Sequence, residues 1–171
     1  MPRNYWMLSL SEENFVVTKK LGYSVQGFRV PHHKKIKRML VGDRLLIYVQ
    51  QLSSFTTSLN ITSEYFEDHT KQWTYIHEKE DFSLRVNMEP ECILNQEEFI
   101  DAKILAPRMQ FIKNWRPEDW HLAFLGDLHL IPKNDFNLIE DEMQRLIESV
   151  QINHTRIIEV IIVRRFNRSH I

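Results

Sequence analysis

Several aromatic residues, Trp6, Tyr23, Phe28, Phe55, Tyr65, Trp73, Trp115 and Trp120, lie outside the regular apolar stripes, many in stretches that read as loops. Among them runs a basic stretch, Arg29 to Arg44, with Arg29, Lys34, Lys35, Lys37, Arg38 and Arg44 against the single acid Asp43. The chemistry this pairing offers is nucleic-acid binding. A flat base stacked on an aromatic ring gains about 1–3 kcal/mol, enough to offset the few kcal/mol needed to take it out of a stack. Neighbouring cations meet the phosphates and contribute affinity without sequence information. Taken singly, a ring more often packs in a core and a charged run more often covers a solvated face. The two together shift the balance.

Catalytic patterns are missing. The four glycines, Gly22, Gly27, Gly42 and Gly126, make no G-x-G, so no phosphate-cradling loop is expected, and neither G-x-S-x-G nor H-E-x-x-H occurs. The eight histidines are scattered. His32 and His33 are adjacent and would point to opposite sides of a regular element, so no metal site is expected. Cys92 with His77 could be written as a nucleophile and base, but a lone cysteine in a strand-like run reads as a small core residue. Glu140 and Asp141 read as polar-face charges of a helix. The chain reads as a non-enzymatic protein without cofactor.

These side chains need elements to hold them. Tyr5 to Leu8 reads as a buried strand; Ser9 or Ser11 then caps a helix whose first turn carries Glu12 and Glu13 and which ends near Gly22. GYSVQGFRVP reads as a loop punctuated by Gly27 and Pro31. HHKKIKRML reads as a short helix with Ile36, Met39 and Leu40 inward. RLLIYVQ and SSFTTSLNIT form a hairpin through Gln51 to Ser54. FSLRVNME is a third strand with Phe82, Leu84, Val86 and Met88 on one face. Gln96–Asp101 and Arg108–Asn114 read as short helical or irregular pieces, and Pro117 opens a further helical turn. WHLAFLGDLHLI reads as a loop and strand broken at Gly126. Asn134 or Asp135 caps an amphipathic helix with Ile139, Met143, Leu146, Ile147 and Val150 on one stripe. The β-branched run TRIIEVIIVRRF reads as a strand buried in a sheet or against a partner.

The whole has 171 residues, 43% hydrophobic and 26% charged, with formal net charge −1. That is ordinary globular usage, it fits one domain, and it excludes a uniformly basic coat. Glu64 to Asp81 reverses the sign of the basic run, with six acids against Lys71 and Lys79. One cysteine permits no internal disulfide. No secretory signal or spanning segment is apparent, so a cytoplasmic protein is expected. Strands mixed with short helices, without regular alternation, argue for an α+β sheet or small mixed barrel.

YWMLSLSEENF, LGYSVQGF, KRMLVGDRLLIYV, ITSEYFED…QW, LRV and W…AFLGDLHLIPKNDFNLIEDEM, in this order and spacing, resemble the EVE domain family of the PUA-like superfamily, which is related to YTH and ASCH domains. The resemblance covers about Tyr5 to Leu146. It implies an α+β, PUA-like mixed pseudo-barrel of five or six strands flanked by helices, over residues 1–150, with 151–171 an extension that adds a strand or an oligomer contact. It also implies one pocket at the barrel mouth admitting a modified base, lined by Trp6, Ser9, Asn14, Gln26, Gly27, Phe28, Thr62, Ser63 and Trp73. Trp73 stands where a YTH domain places one cage tryptophan; at the other cage position this chain has only Tyr23, Ser24, Val25 and Phe28. Arg29, Lys34, Lys35, Lys37 and Arg38 would hold the phosphates of RNA or DNA. The expected function is therefore a reader of a modified base. The alternatives are an enzyme acting on a modified base or nucleoside on the same fold, and a protein-interaction module in which the apolar C-terminal run pairs with a partner; that segment is also a candidate homodimer contact.

Overall fold

The computed structural model describes residues 3–74 and 81–168. A six-stranded curled sheet carries the molecule. Its strands are β1 (Tyr5–Leu10), β2 (Val25–Phe28), β3 (Arg44–Val49), β4 (Ser54–Ile61), β6 (Leu84–Ile93) and β8 (Leu128–Leu130), in the order β2-β6-β4-β3-β1-β8. Two short strands attach at the sides, β5 (Phe66–Glu67) on β6 and β7 (Ile100–Asp101) on β4. β1 and β3 are parallel; the other pairings are antiparallel. The helices are α1 (Glu12–Lys20), α2 (His33–Ile36), α3 (Ala102–Leu105) and α4 (Lys133–Arg168), with 3-10 turns at Val30–His32, Ala106–Arg108 and Pro117–Phe124 among the connections. This is the mixed pseudo-barrel flanked by helices that the resemblance implies.

Alternation along β1 divides the interior in two. Trp6, Leu8 and Leu10 join Leu45, Ile47, Leu84, Val86 and Met88 in one core, under α1 and α2. Met7 faces the other way, with Leu46, Tyr48, Phe55, Phe136, Ile139 and Met143, under α3 and α4. Such period-two sorting is what a strand buried on both faces produces. β4 shows it with polar residues: Ser54, Thr56, Thr57 and Ser58 are all buried. Their hydroxyls have partners; Ser58 Oγ donates to Glu140 Oε1 at 2.7 Å. Glu140 also pairs with Arg44, so α4 is pinned to the sheet by a nearly buried ion pair.

Several expectations fail. Neither Asn134 nor Asp135 caps the last helix, which already begins at Lys133, and the Asp135 carboxylate instead accepts the Gln110 and Phe111 N–H groups. Glu140 is not a solvated polar-face charge, since its contacts to Ser58 and Arg44 leave it 9% exposed. GYSVQGFRVP contains a strand, β2, because its backbone completes the free edge of β6 from Val25 opposite Asn87 to Phe28 opposite Leu84. Leu40 is 42% exposed while Ile36 and Met39 are buried, since α2 stops at Ile36 and the chain then turns outward. TRIIEVIIVRRF is helix, not strand: α4 continues unbroken from Lys133 to Arg168. No glycine or proline interrupts those residues, so nothing supplies a stop signal. α1 begins at the Ser11 cap, whose Oγ accepts the Asn14 N–H, and closes before Gly22 at φ +65°. Trp73 and its neighbours up to Thr74 follow β5 without regular structure.

Candidate functional site

β1 and β3 finish and β8 begins at one end of their part of the sheet, and the end of β2 and the segment entering β6 join them around a common cavity. The Ser9 N–H donates to the Asp127 carbonyl at 2.7 Å and the Gln50 N–H to the Leu10 carbonyl at 2.9 Å, fixing the rim. Between them lies a cavity of about 60 Å³ lined by Leu8, Ser9, Leu10, Ser11, Asn14, Gly27, Phe28, Arg29, His32, Gln50, Phe82 and Asp127.

Asp127 is its charged centre. Arg29 Nε donates to Asp127 Oδ2 at 2.5 Å, and His32 Nε2 lies 3.0 Å from the same oxygen. Burial alone would raise this carboxyl, but the hydrogen bonds from His32 and Arg29 and their charges outweigh it and hold Asp127 below the ordinary carboxylate range. The wall opposite is neutral and polar. Asn14 Nδ2 donates to the Thr74 carbonyl at 2.7 Å while Asn14 Oδ1 accepts the Thr74 N–H at 2.9 Å. A side-chain amide has two N–H groups and two lone pairs, so among the described residues one N–H and one lone pair of Asn14 remain unused. Phe28 and Phe82 supply the apolar surface.

Of the residues singled out from sequence, Ser9, Asn14, Gly27 and Phe28 meet in this cavity, and Arg29 joins them as part of its wall. Trp6 is elsewhere: its Nε1 donates to Asp43 Oδ2 at 2.9 Å. The Asp43 carboxylate, 2% exposed, also receives both Asn4 donors and the Leu40 N–H. Gln26 is fully buried behind the wall, accepting from Thr18 Oγ1 and donating to the Gly27 carbonyl. Thr62 and Ser63 stand apart, at the β4–β6 junction, where Ser63 Oγ accepts the Asn87 N–H.

Trp73 comes close without lining the cavity. It is 5% exposed, its Nε1 donates to Thr18 Oγ1 at 2.9 Å, and the Arg85 guanidinium sits 5.2 Å over its ring. Its six-membered ring presses on Gly27, where a Cβ would come within 2.7 Å of two ring carbons. Trp73 therefore buttresses the wall that Gly27 and Phe82 present. Of the remaining basic residues, Lys35 Nζ donates to the Leu128 carbonyl at 2.6 Å, and Lys34, Lys37 and Arg38 are exposed on and just after α2.

Sequence reasoning passed over Asp127, His32, Gln50, Ser11 and Phe82. Asp127 had a signal, an acid directly after the Gly126 turn in a strand entry. Ser11, the α1 cap, lies two residues past Ser9, and His32 lies three past Arg29; Gln50 and Phe82 are placed by long-range pairing that no local pattern shows. Cys92 is buried, and burial pushes its thiol up, as suits a core residue; His77 lies outside the described residues. No group of three or more potential metal ligands occurs among the described residues. Nor is any described helix long and apolar enough to cross a membrane.

The EVE domain family model matches residues 4–141. The chain is 30% identical to the UPF0310 protein of Pyrococcus abyssi over 145 residues, 80% of this chain and 97% of that one. It is 29% identical over 147 residues to the UPF0310 protein of Pyrococcus horikoshii, covering 80% and 96%. Among solved structures, the YTH domain of Zygosaccharomyces rouxii MRB1 in complex with N6-methyladenosine RNA aligns with TM-score 0.58 and 13% identity over 82% of this chain and 89% of that one. The Pho92 YTH domain in complex with m6A gives 0.58 and 12% over 82% and 83%. The Mmi1 YTH domain gives 0.57 and 10% over 86% and 78%. At these identities the likeness is one of fold.

Proposed function

The chain belongs to the EVE domain family, and from that premise we propose that it is a non-enzymatic nucleic-acid-binding module that takes one modified base of RNA or DNA into the cavity at the barrel mouth. The observation that carries this is the convergence on one cavity of two phenyl rings, Phe28 and Phe82, with the polar groups of Ser9, Asn14 and Gln50 and the Arg29–Asp127–His32 cluster. Rings hold a flat heterocycle by its faces, and fixed donors and acceptors discriminate at its edge. A base that leaves those buried groups unpaired is rejected by more than stacking alone would give. YTH domains of the same fold bound to N6-methyladenosine ligands support the reading.

The cavity, about 60 Å³ as it stands, holds only small molecules such as water and is bounded by the contacts of Arg29 and His32 to Asp127. Base entry thus displaces water and swings the Arg29 and His32 side chains from Asp127. Trp73 acts from behind, keeping Gly27 and Phe82 in place. Lys34, Lys37 and Arg38 meet flanking phosphates and supply the salt-dependent, sequence-independent share of affinity.

The test is equilibrium binding of oligonucleotides identical except for one modified base. We expect one modified member to bind at least about tenfold tighter than its unmodified parent, and His32→Ala to shrink that ratio. Glutamate at Lys34, Lys37 and Arg38 weakens all members alike. Equal affinities across a broad panel overturn the reading. A second reading, catalysis on the base, has one observation in its favour, the ionised Asp127 beside His32 within the cavity; product formation lost in His32→Ala would establish it. Homodimerisation through the C-terminal segment would use Ile152, Ile157 and Ile158, all more than half exposed, and light scattering of a chain ending at Val150 tests that.

A further inference from the structure

The other face of the sheet carries a larger concavity. Between α3 with its following 3-10 turn and the turn at Pro117–Phe124 lies a groove of about 470 Å³, lined by Lys103, Ala106, Pro107, Met109, Ile112, Lys113, Trp115, Arg116, Pro117 and Trp120. It shares no residue with the mouth cavity, and its floor, Ala106, Met109 and Ile112, belongs to the core of Met7 and not to that of Leu8 and Leu10. Trp115 is 42% exposed, and Trp120 is half-buried, set edge-on against Phe124.

The charge is one-sided. Three cations and no acid line the groove. Arg116 is held by Asp119 and Glu118, whereas Lys103 and Lys113 make no ion pair among the described residues. An apolar peptide would have no use for these lysines, and an acidic one no use for two indoles. Aromatic platforms flanked by cations suit a ligand with flat rings and regularly spaced negative charge.

We propose that this groove is a second binding site, for single-stranded nucleic acid, with bases stacked on Trp115 and Trp120 and phosphates on Lys103 and Lys113. It needs no modified base. It stands whether or not the barrel mouth binds one.

The indole N–H signals in a proton–nitrogen correlation spectrum give the test, because the four tryptophans divide evenly. Trp6 and Trp73 have their N–H groups tied to Asp43 and Thr18 inside the protein, and report folding. Trp115 and Trp120 report the groove. Titration with an unmodified uridylate octamer should move the Trp115 and Trp120 signals to saturation. Lys103→Glu with Lys113→Glu should weaken binding by about tenfold or more, and raising salt from about 50 to about 200 mM should weaken it by about sevenfold, the loss for two phosphate contacts on a single strand. The Trp6 and Trp73 signals of that variant should stay in place, and His32→Ala should leave octamer binding at the groove unchanged. Stationary groove signals, indifference to the lysine reversals, or loss of binding in His32→Ala would overturn the proposal. So would adenosine monophosphate or an octaglutamate binding as tightly as the octamer, since a strand with both bases and charges would then not be what the groove selects.

Discussion

The barrel mouth and the groove at residues 103–120 treat their polar groups in opposite ways. At the mouth the polar groups are tethered, Arg29 and His32 to Asp127 and Asn14 to Thr74, and behind the wall the indole of Trp73 is held by Thr18 and Arg85. In the groove two lysines are unpaired among the described residues and an indole stands open. A small cavity lined by buried polar groups can discriminate, because a wrong ligand leaves those groups unsatisfied. An open basic groove with aromatic walls can hold a strand but reads little of it. On the functions proposed for them, the difference separates selectivity from adhesion within a single sheet.

Perturbing the two regions should therefore have unlike consequences, the greatest at the mouth. Trp73→Ala removes a buried indole, its hydrogen bond to Thr18 and the backing of Gly27, and should cost about 3–5 kcal/mol in denaturant unfolding while abolishing any base selectivity. Gly27→Ala inserts a methyl within 2.7 Å of the Trp73 ring and 2.9 Å of the Phe82 carbonyl. Since a ring and a backbone must both give, a loss of about 1–3 kcal/mol is expected.

Asp127 sharpens the contrast through pH. Its folded carboxyl titrates below the unfolded one, so its contribution is complete above the unfolded value and is lost as pH falls through the folded one. Thermal melting from neutral pH down to about pH 3 should show Asp127→Asn less stable than the parent at neutrality, with the gap closing in acid. A gap that persists unchanged would mean the carboxylate charge is not what joins Arg29 and His32. Smallest is the effect in the groove: Trp115→Ala and Lys113→Glu should alter stability by no more than about 0.5 kcal/mol, as exposed positions do. A larger loss by the same measurement would mark Trp115 as a packing residue and erase the distinction.

Much of the frame was legible because local chemistry and final structure agree. The Ser11 cap, the hairpin of β3 and β4, and the Leu84, Val86 and Met88 face of β6 rest on patterns a few residues long. β2 was not legible: Val25–Phe28 is four residues with a glycine inside, and only the unpaired edge of β6 makes it a strand. The end of α4 misled for another reason. β-Branched residues favour strands only weakly, and a helix already nucleated at Lys133 with nothing to stop it overrides that preference.

At the site, the family resemblance named Ser9, Asn14, Gly27 and Phe28 together, and these four line one cavity. The charged wall was hidden. Asp127 is 98 residues from Arg29, and nothing local connects them. Trp6 and Trp73 share the opposite lesson: an aromatic residue in the right motif still had an N–H to satisfy, and Asp43 and Thr18 satisfied it in the interior.

The central claim is that the barrel mouth selects one modified base, and it can be asked of the protein without guessing the base. Fragmented cellular RNA and DNA are bound to the protein, the retained material is digested to nucleosides, and each nucleoside is quantified by mass spectrometry against the input. The account predicts one modified nucleoside enriched over its unmodified parent, with the enrichment lost in His32→Ala. Retained material with the same modified-to-unmodified ratios as the input, for every nucleoside, would contradict it.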